Sequence, residues 1–288
     1  IVLLGCAGKT EQAKAKYVFY FIGDGMGVNQ VIGTEMYLAE LEGRIGTKSL
    51  SFTSFPVRNY MTTYSATNAV TCSAAAGTAL ATGTKTQNGR IGMRQDSSVL
   101  YSIACKAKQA GKAVGVTTSV AINHATPAVF YAHQPDRQMY YEIGTDAAKA
   151  GFDFYGGAGW KQVFSPHDSS AIDLYSLLRD SGYMIIDHRQ DFQALSAGAG
   201  KVVYVQPKDC VNPSSLPAAI DRKEGDLTLA NITEKAIQFL STRNETGFFL
   251  MVEGGVIDWL CHANDGAAAF REVVDFSETI QVALDFYK

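Results

Sequence analysis

Residues 16–22 (KYVFYFI) form an unbroken run of apolar, aromatic and β-branched side chains that stops at Gly23-Asp24-Gly25-Met26-Gly27. A strand with no polar alternation must be covered on both faces, which is the situation of a parallel sheet clothed by helices. The glycines that follow permit a tight turn, so the run predicts a buried strand whose carboxyl end opens onto Asp24. Two further short apolar runs, residues 113–119 and 248–252, repeat the pattern and are each followed closely by polar residues. Helical patterns at residues 99–110 and 229–242 lie between them. This alternation predicts an α/β fold with a mostly parallel central sheet flanked by helices on both faces. Ligands of such sheets bind beyond the carboxyl ends of the strands, which is where Asp24, His124 with Thr126, and Glu253 with Asp258 all fall.

At 288 residues, 47% hydrophobic and 18% charged, the chain is long enough for one large domain, assigned to residues 16–288. Residues 155–213 are rich in Gly, Ser and Asp with weak periodicity and read as a peripheral insertion. The net charge of −3, with Lys and Arg scattered, leaves no electrostatic footprint for nucleic acid. Any anion must therefore be held locally. No run of about 18 apolar residues is present to make a transmembrane helix. Residues 1–15 read as a signal remnant and linker: Leu3-Leu4-Gly5-Cys6 resembles the bacterial lipoprotein processing box, which makes Cys6 a lipid-anchor site. The chain is accordingly expected to be exported, either periplasmic or a membrane-anchored lipoprotein, and to have been trimmed before Ile1. The five cysteines are widely spaced without a CxxC pair, so neither a zinc knuckle nor a disulfide framework is indicated.

Ser73 precedes a run of small residues that favour helix (AAAGTAL), which places it at a helix N-terminus. Free N–H groups and the positive dipole end there favour a bound phosphate and an ionised nucleophile. Taken alone, an ordinary serine N-cap is the commoner reading. Asp258 and His262 stand at i and i+4, so on a helix their side chains share a face and can reach one zinc ion. A solvated aspartate and a core histidine are the bland alternatives.

The combination resembles the alkaline phosphatase family in residue type, order and approximate separation. Residues 16–27 are similar to the family's first strand and Asp-Gly-Met-Gly turn, and residues 70–89 (VTCSAAAGTALATGTKTQNG) to its nucleophile segment. Residues 123–137 (NHATPAVFYAHQPDR) resemble its metal and arginine segment, and residues 247–265 its Glu/Asp/His segment. The likeness runs from Lys16 to Lys288. It implies that Ser73 is a nucleophile phosphorylated in turnover and that Arg137 clamps the phosphate. It further implies that Asp24 bridges a zinc and a third metal, usually magnesium, with Thr126 and Glu253 and the His124 position completing that third site. Ser73 itself, Asp258 and His262 would contribute to the zinc sites. The implied activity is hydrolysis of phosphate monoesters with Zn2+ and Mg2+, with inorganic phosphate as product, and many relatives are homodimers. A phosphodiesterase or phosphoglycerate mutase of the same superfamily is the alternative enzyme. A sulfatase is disfavoured, because Ala74 and Ala76 stand where its Cys-x-Pro-x-Arg motif needs Pro and Arg.

Three residues depart from the family pattern. Cys72 stands where an aspartate usually helps orient the arginine, so Arg137 is expected to be less constrained. His124 occupies a position that is Asp in many bacterial relatives and His in others. Trp259 replaces a Lys or His that often contacts phosphate through water, so phosphate is expected to be held less tightly. The family also continues past the helix that residues 277–287 resemble, with an Asp-His pair and a further histidine. The five histidines here are His124, His133, His167, His188 and His262, and none follows His262. The chain therefore reads as C-terminally incomplete and, taken alone, is expected to be nearly inactive because it lacks the ligands for two zinc ions; a metal- or phosphate-binding fragment is the non-enzymatic alternative.

Overall fold

The computed structural model describes residues 15–187, 200–207, 212 and 214–288; Cys6 and the motif around it lie outside them. Six strands form one sheet: β1 (Tyr17–Gly23), β2 (Ala113–Thr118), β3 (Phe154–Gly157), β4 (Tyr183–Ile186), β5 (Lys201–Val205) and β6 (Phe248–Gly254). Their order is β1-β6-β2-β3-β5-β4, and every pairing is parallel. Parallel neighbours require crossover connections, and the intervening helices supply them. The three runs legible as continuous apolar segments become β1, β6 and β2, which are adjacent. The last strand runs two residues further than its apolar pattern and carries Glu253 inside the sheet.

Alternation along β6 divides the core in two. Phe249 and Met251 face a cluster on one side with Ala74, Phe130 and Leu174, while Phe248, Leu250 and Val252 face a second with Ile232, Val273 and Phe276. Helices α2 (Ser73–Thr82), α3 (Ile103–Gln109), α4 (Ala125–Ala128), α5 (Tyr140–Ala150) and α6 (Leu174–Asp180) belong to the first side. Helices α1 (Val28–Leu41), α7 (Leu229–Ser241) and α9 (Gly266–Tyr287) cover the second. Short α8 (Val256–His262) leaves the end of β6 directly. The flanking of both faces is as expected. Phe248 and Phe249 are each at most 1% exposed, and burial of that kind stabilises by about 1.5–3 kcal/mol per side chain. Such anchoring is what lets the same strand carry a buried glutamate.

The segment read as a peripheral insertion is corrected by the structure. Residues 155–213 supply most of β3 and all of β4 and β5, half the strands of the sheet. Tyr155 is fully buried, packed against Tyr131, Phe152, Trp160 and Tyr183. These strands are four or five residues long, too short for periodicity to rise above the intervening Gly, Ser and Asp.

Candidate active site

The carboxyl ends of β1, β6 and β2 open onto a cavity of about 710 Å3 lined by Asp24, Ser73, His124, Thr126, Arg137, Asp258 and His262, with Trp259 beside them. Glu253 lies beneath it, fully buried. All eight residues singled out from the sequence thus converge. Register explains part of this, because Glu253 on β6 is flanked by Ile22 of β1 and Thr118 of β2.

Asp24 leaves β1 with its N–H bonded to the Gly254 carbonyl (3.3 Å). Gly25 follows with φ +65°, and a Cβ there would sit 2.7 Å from Asp258 Oδ1 and 2.9 Å from the Asp258 Cα. Only glycine satisfies both the left-handed backbone and the contact. Ser73 is the first residue of α2, and the cap is Cys72, in extended conformation with no side-chain cap bond. The serine N-cap reading therefore does not apply. Instead Ser73 Oγ donates to Asp24 Oδ2 at 3.0 Å.

Burial, and then repulsion from Asp258, lifts the Asp24 carboxyl to about 6. Burial, and then the Asp24 charge, lifts Glu253 to about 8, although Thr118 Oγ1 donates to its Oε2. His124 is driven down to about 3 by burial and then by Arg137 and Lys161, so it stays neutral. Its Nε2 accepts from Arg137 Nη2 (3.1 Å), and its ring meets Trp259 edge to face with centroids 5.8 Å apart. Three buried atoms at this spot, His124 Nδ1, Thr126 Oγ1 and Glu253 Oε1, make no hydrogen bond. Thr126 lies near enough to ease the Glu253 charge without completing one. Buried polar atoms are seldom left unmatched. Ligand atoms of Asp24, His124 and Glu253 fall within 4.8 Å of one another. Two carboxylates raised by burial and mutual repulsion, with an idle hydroxyl beside them, fit a hard divalent cation that completes its shell with water.

For zinc the fit is partial. Asp258 and His262 share a face of α8 as expected, with His262 Nε2 3.6 Å from Asp258 Oδ2. The histidine side chain is 80% exposed and so is no core residue. They supply two donors, against about three in a catalytic zinc site.

The expectation of a slack Arg137 is revised. Cys72 Sγ accepts the Gly89 N–H (3.1 Å), and the Gly89 carbonyl accepts the Arg137 N–H (2.8 Å). The thiol thus steadies the arginine's backbone while His124 holds its guanidinium. Sequence reasoning missed that role for His124, and it missed Thr118 and Ser119. Ser119 Oγ accepts from Gly255 and Val256 N–H and so anchors the start of α8. The available signal was the Thr117-Thr118-Ser119 hydroxyl run at the end of the second apolar segment.

The raised carboxyls have a measurable consequence. Asp24 rises from 3.8 to about 6 and Glu253 from 4.5 to about 8, so between roughly pH 4 and 8 the folded metal-free chain binds more protons than the unfolded one. Stability then falls as pH rises through that window. A cation displaces those protons, so the rise in melting temperature on adding magnesium is expected to be small at pH 5 and larger at pH 8. A magnesium effect that is flat across that range would contradict the arrangement.

The chain matches the family model described as alkaline phosphatase over residues 15–156 and 169–288. It is 33% identical to alkaline phosphatase 4 of Bacillus subtilis over 98% of this chain and 60% of that protein. It is 34% identical to alkaline phosphatase 3 of the same organism over 97% and 59%. The chain thus spans about three fifths of the length of these curated relatives. The solved alkaline phosphatase of the Antarctic bacterium TAB5 superposes with TM-score 0.81 at 31% identity, over 94% of this chain and 74% of that one. A histidine-to-glutamate mutant of the TAB5 enzyme, with the same TM-score and 30% identity over 94% and 73%, has magnesium bound.

Proposed function

The chain belongs to the alkaline phosphatase family, and from that premise we propose that it hydrolyses phosphate monoesters through a phosphoserine on Ser73 at a centre of magnesium and zinc. The observation that carries this reading is the Ser73 hydroxyl at the start of α2, 3.0 Å from Asp24 and facing the same cavity as Arg137.

In the proposed reaction the substrate phosphate lies over the N-terminus of α2, where backbone N–H groups are free. Arg137, held through His124 and Gly89, offers its planar fork to two phosphate oxygens, and charge-assisted bonds of this type contribute about 1.5–3 kcal/mol each. Ser73 Oγ, aligned by its bond to Asp24 Oδ2, attacks phosphorus as its proton passes to solvent. The phosphorus–oxygen bond to the alcohol breaks, and the alcohol leaves with a proton from solvent. Water then attacks the phosphoserine, the bond to Oγ breaks, and Ser73 recovers its proton as inorganic phosphate departs. Bound cations would supply charge neutralisation and lower the pKa of coordinated oxygens. Asp24, Thr126 and Glu253 would hold magnesium, and His124 would join them only on releasing Arg137. Asp258 with His262, and Asp24 with Ser73, would be the zinc donors from this chain. Export with a lipid on Cys6 is part of the same proposal and rests on the Leu3-Leu4-Gly5-Cys6 motif alone.

Turnover of p-nitrophenyl phosphate beside bis(p-nitrophenyl) phosphate, with zinc and magnesium added, tests the reading. The monoester is expected to turn over faster, with inorganic phosphate as a competitive inhibitor. Preference for the diester would overturn it.

A further inference from the structure

The turn bearing Asp24 and the helix bearing Asp258 and His262 come from chain segments more than 200 residues apart, and the Asp24 and Asp258 charges repel each other. Pairing of β1 with β6 and the bond from the Asp24 N–H to the Gly254 carbonyl align the strand ends, and two further contacts link the segments beyond them. One contact is steric, the bare Gly25 backbone against Asp258. The other is a bridge through Gln30, the third residue of α1. Its Oε1 accepts the N–H of Gly27, the last residue of the turn, at 3.0 Å. Its Nε2 donates to Cys261 Sγ at 3.5 Å, on α8 between Asp258 and His262. A side-chain amide carries an acceptor and a donor on one rigid tip, which neither a carboxylate nor an ammonium can offer. An ordinary capping glutamine would leave its NH2 to solvent, but this one spends it on the opposite ligand-bearing segment.

We propose that Gln30 is a positioning residue that, through Cys261, fixes the spacing between the Asp24 turn and the Asp258/His262 helix. The proposal rests on the metal-centre reading above for its consequence, but the bridge is testable without it. Outer groups that orient ligands typically govern metal affinity by about 10–100-fold, and a neutral N–H···S contact belongs at the low end.

In the 288-residue chain, Gln30→Met, Cys261→Ala and their combination keep charge constant while breaking the bridge. Two readouts serve: zinc titration followed by the fluorescence of Trp259, and amide hydrogen exchange of residues 256–262 without metal. Each single variant is expected to weaken zinc about tenfold and to speed exchange in α8, and the double variant to do no more than Gln30→Met. Cys261→Ser, which keeps an acceptor, should stay near wild type, as a role in packing alone would not require. Additive losses in the double variant, or unchanged exchange in both singles, would overturn the bridge. If wild type takes no zinc, the zinc part of the metal-centre reading falls for this chain, and exchange in α8 decides the bridge alone.

Discussion

Replacing Ser73 with alanine is expected to lower monoester turnover by roughly 10^4-fold or more, the scale seen when a nucleophile is removed from a working site. The same change should leave the fold almost untouched. Ser73 contributes one side-chain hydrogen bond, to Asp24, and alanine at a first helical position carries no penalty. Loss of that bond removes a contribution that holds the Asp24 pKa down. The metal-free variant should therefore take up a proton on Asp24 at slightly higher pH. The decisive measurement is acid trapping of labelled phosphate followed by peptide mapping. Label is expected in the peptide containing residues 71–82 of the wild type and nowhere in the variant. Equal labelling of both proteins, or label mapped elsewhere, would remove Ser73 from the mechanism.

Gly25→Ala is expected to be the most damaging small substitution in the turn. Its φ of +65° costs an alanine about 1–2 kcal/mol. The added Cβ would also meet Asp258 Oδ1 at 2.7 Å and its Cα at 2.9 Å, and a backbone atom cannot swing aside. Overpacking of this kind costs about 1–3 kcal/mol, so a total of roughly 2–5 kcal/mol is expected, a fall in melting temperature of about 3–8 °C for a chain of this length. Because the displaced element is α8, binding of zinc and turnover should be lost together. Gly83→Ala isolates the backbone share. Its φ is +76°, with nothing within 4 Å of the added Cβ, so it should cost about 1–2 kcal/mol and leave activity intact. Equal behaviour of the two variants would show that the Gly25 contact is unimportant.

Both predictions depend on residues that the sequence displayed and on distances that it did not. Strands β2 and β6 were legible because they are buried on both faces, which favours an unbroken apolar run; β1 carries the same pattern although it is only half-buried at the edge of the described sheet, short of the full burial expected for it. The hydroxyl before AAAGTAL, and the Asp258/His262 spacing, were legible because a helix imposes a fixed local geometry. Strands β3, β4 and β5 were not, since four or five residues carry no usable period, and the burial of Tyr155 in β3 draws on Tyr131 and Tyr183 from other segments as well as on nearby Phe152 and Trp160. The reading of Cys72 went astray for a related reason. A family comparison at one position anticipates a missing carboxylate, but not the Gly89 turn that accepts the anchoring task.

By itself the sequence determined the α/β class, the strands β1, β2 and β6 and the glycine turn after Asp24, because each is written in local composition and spacing; the eight residues of the candidate site were named largely through the resemblance of their motifs to the alkaline phosphatase family. Tertiary structure alone decided their chemistry. Strand order brings β1, β6 and β2 side by side, so Asp24 and Glu253 share one dry corner, and desolvation by distant residues lifts both carboxyls. The same packing leaves His124 neutral and in contact with Arg137, and it carries Gln30 to Cys261. Charge state depends on the dielectric and the neighbours that folding assembles, and no window of adjacent residues contains that information.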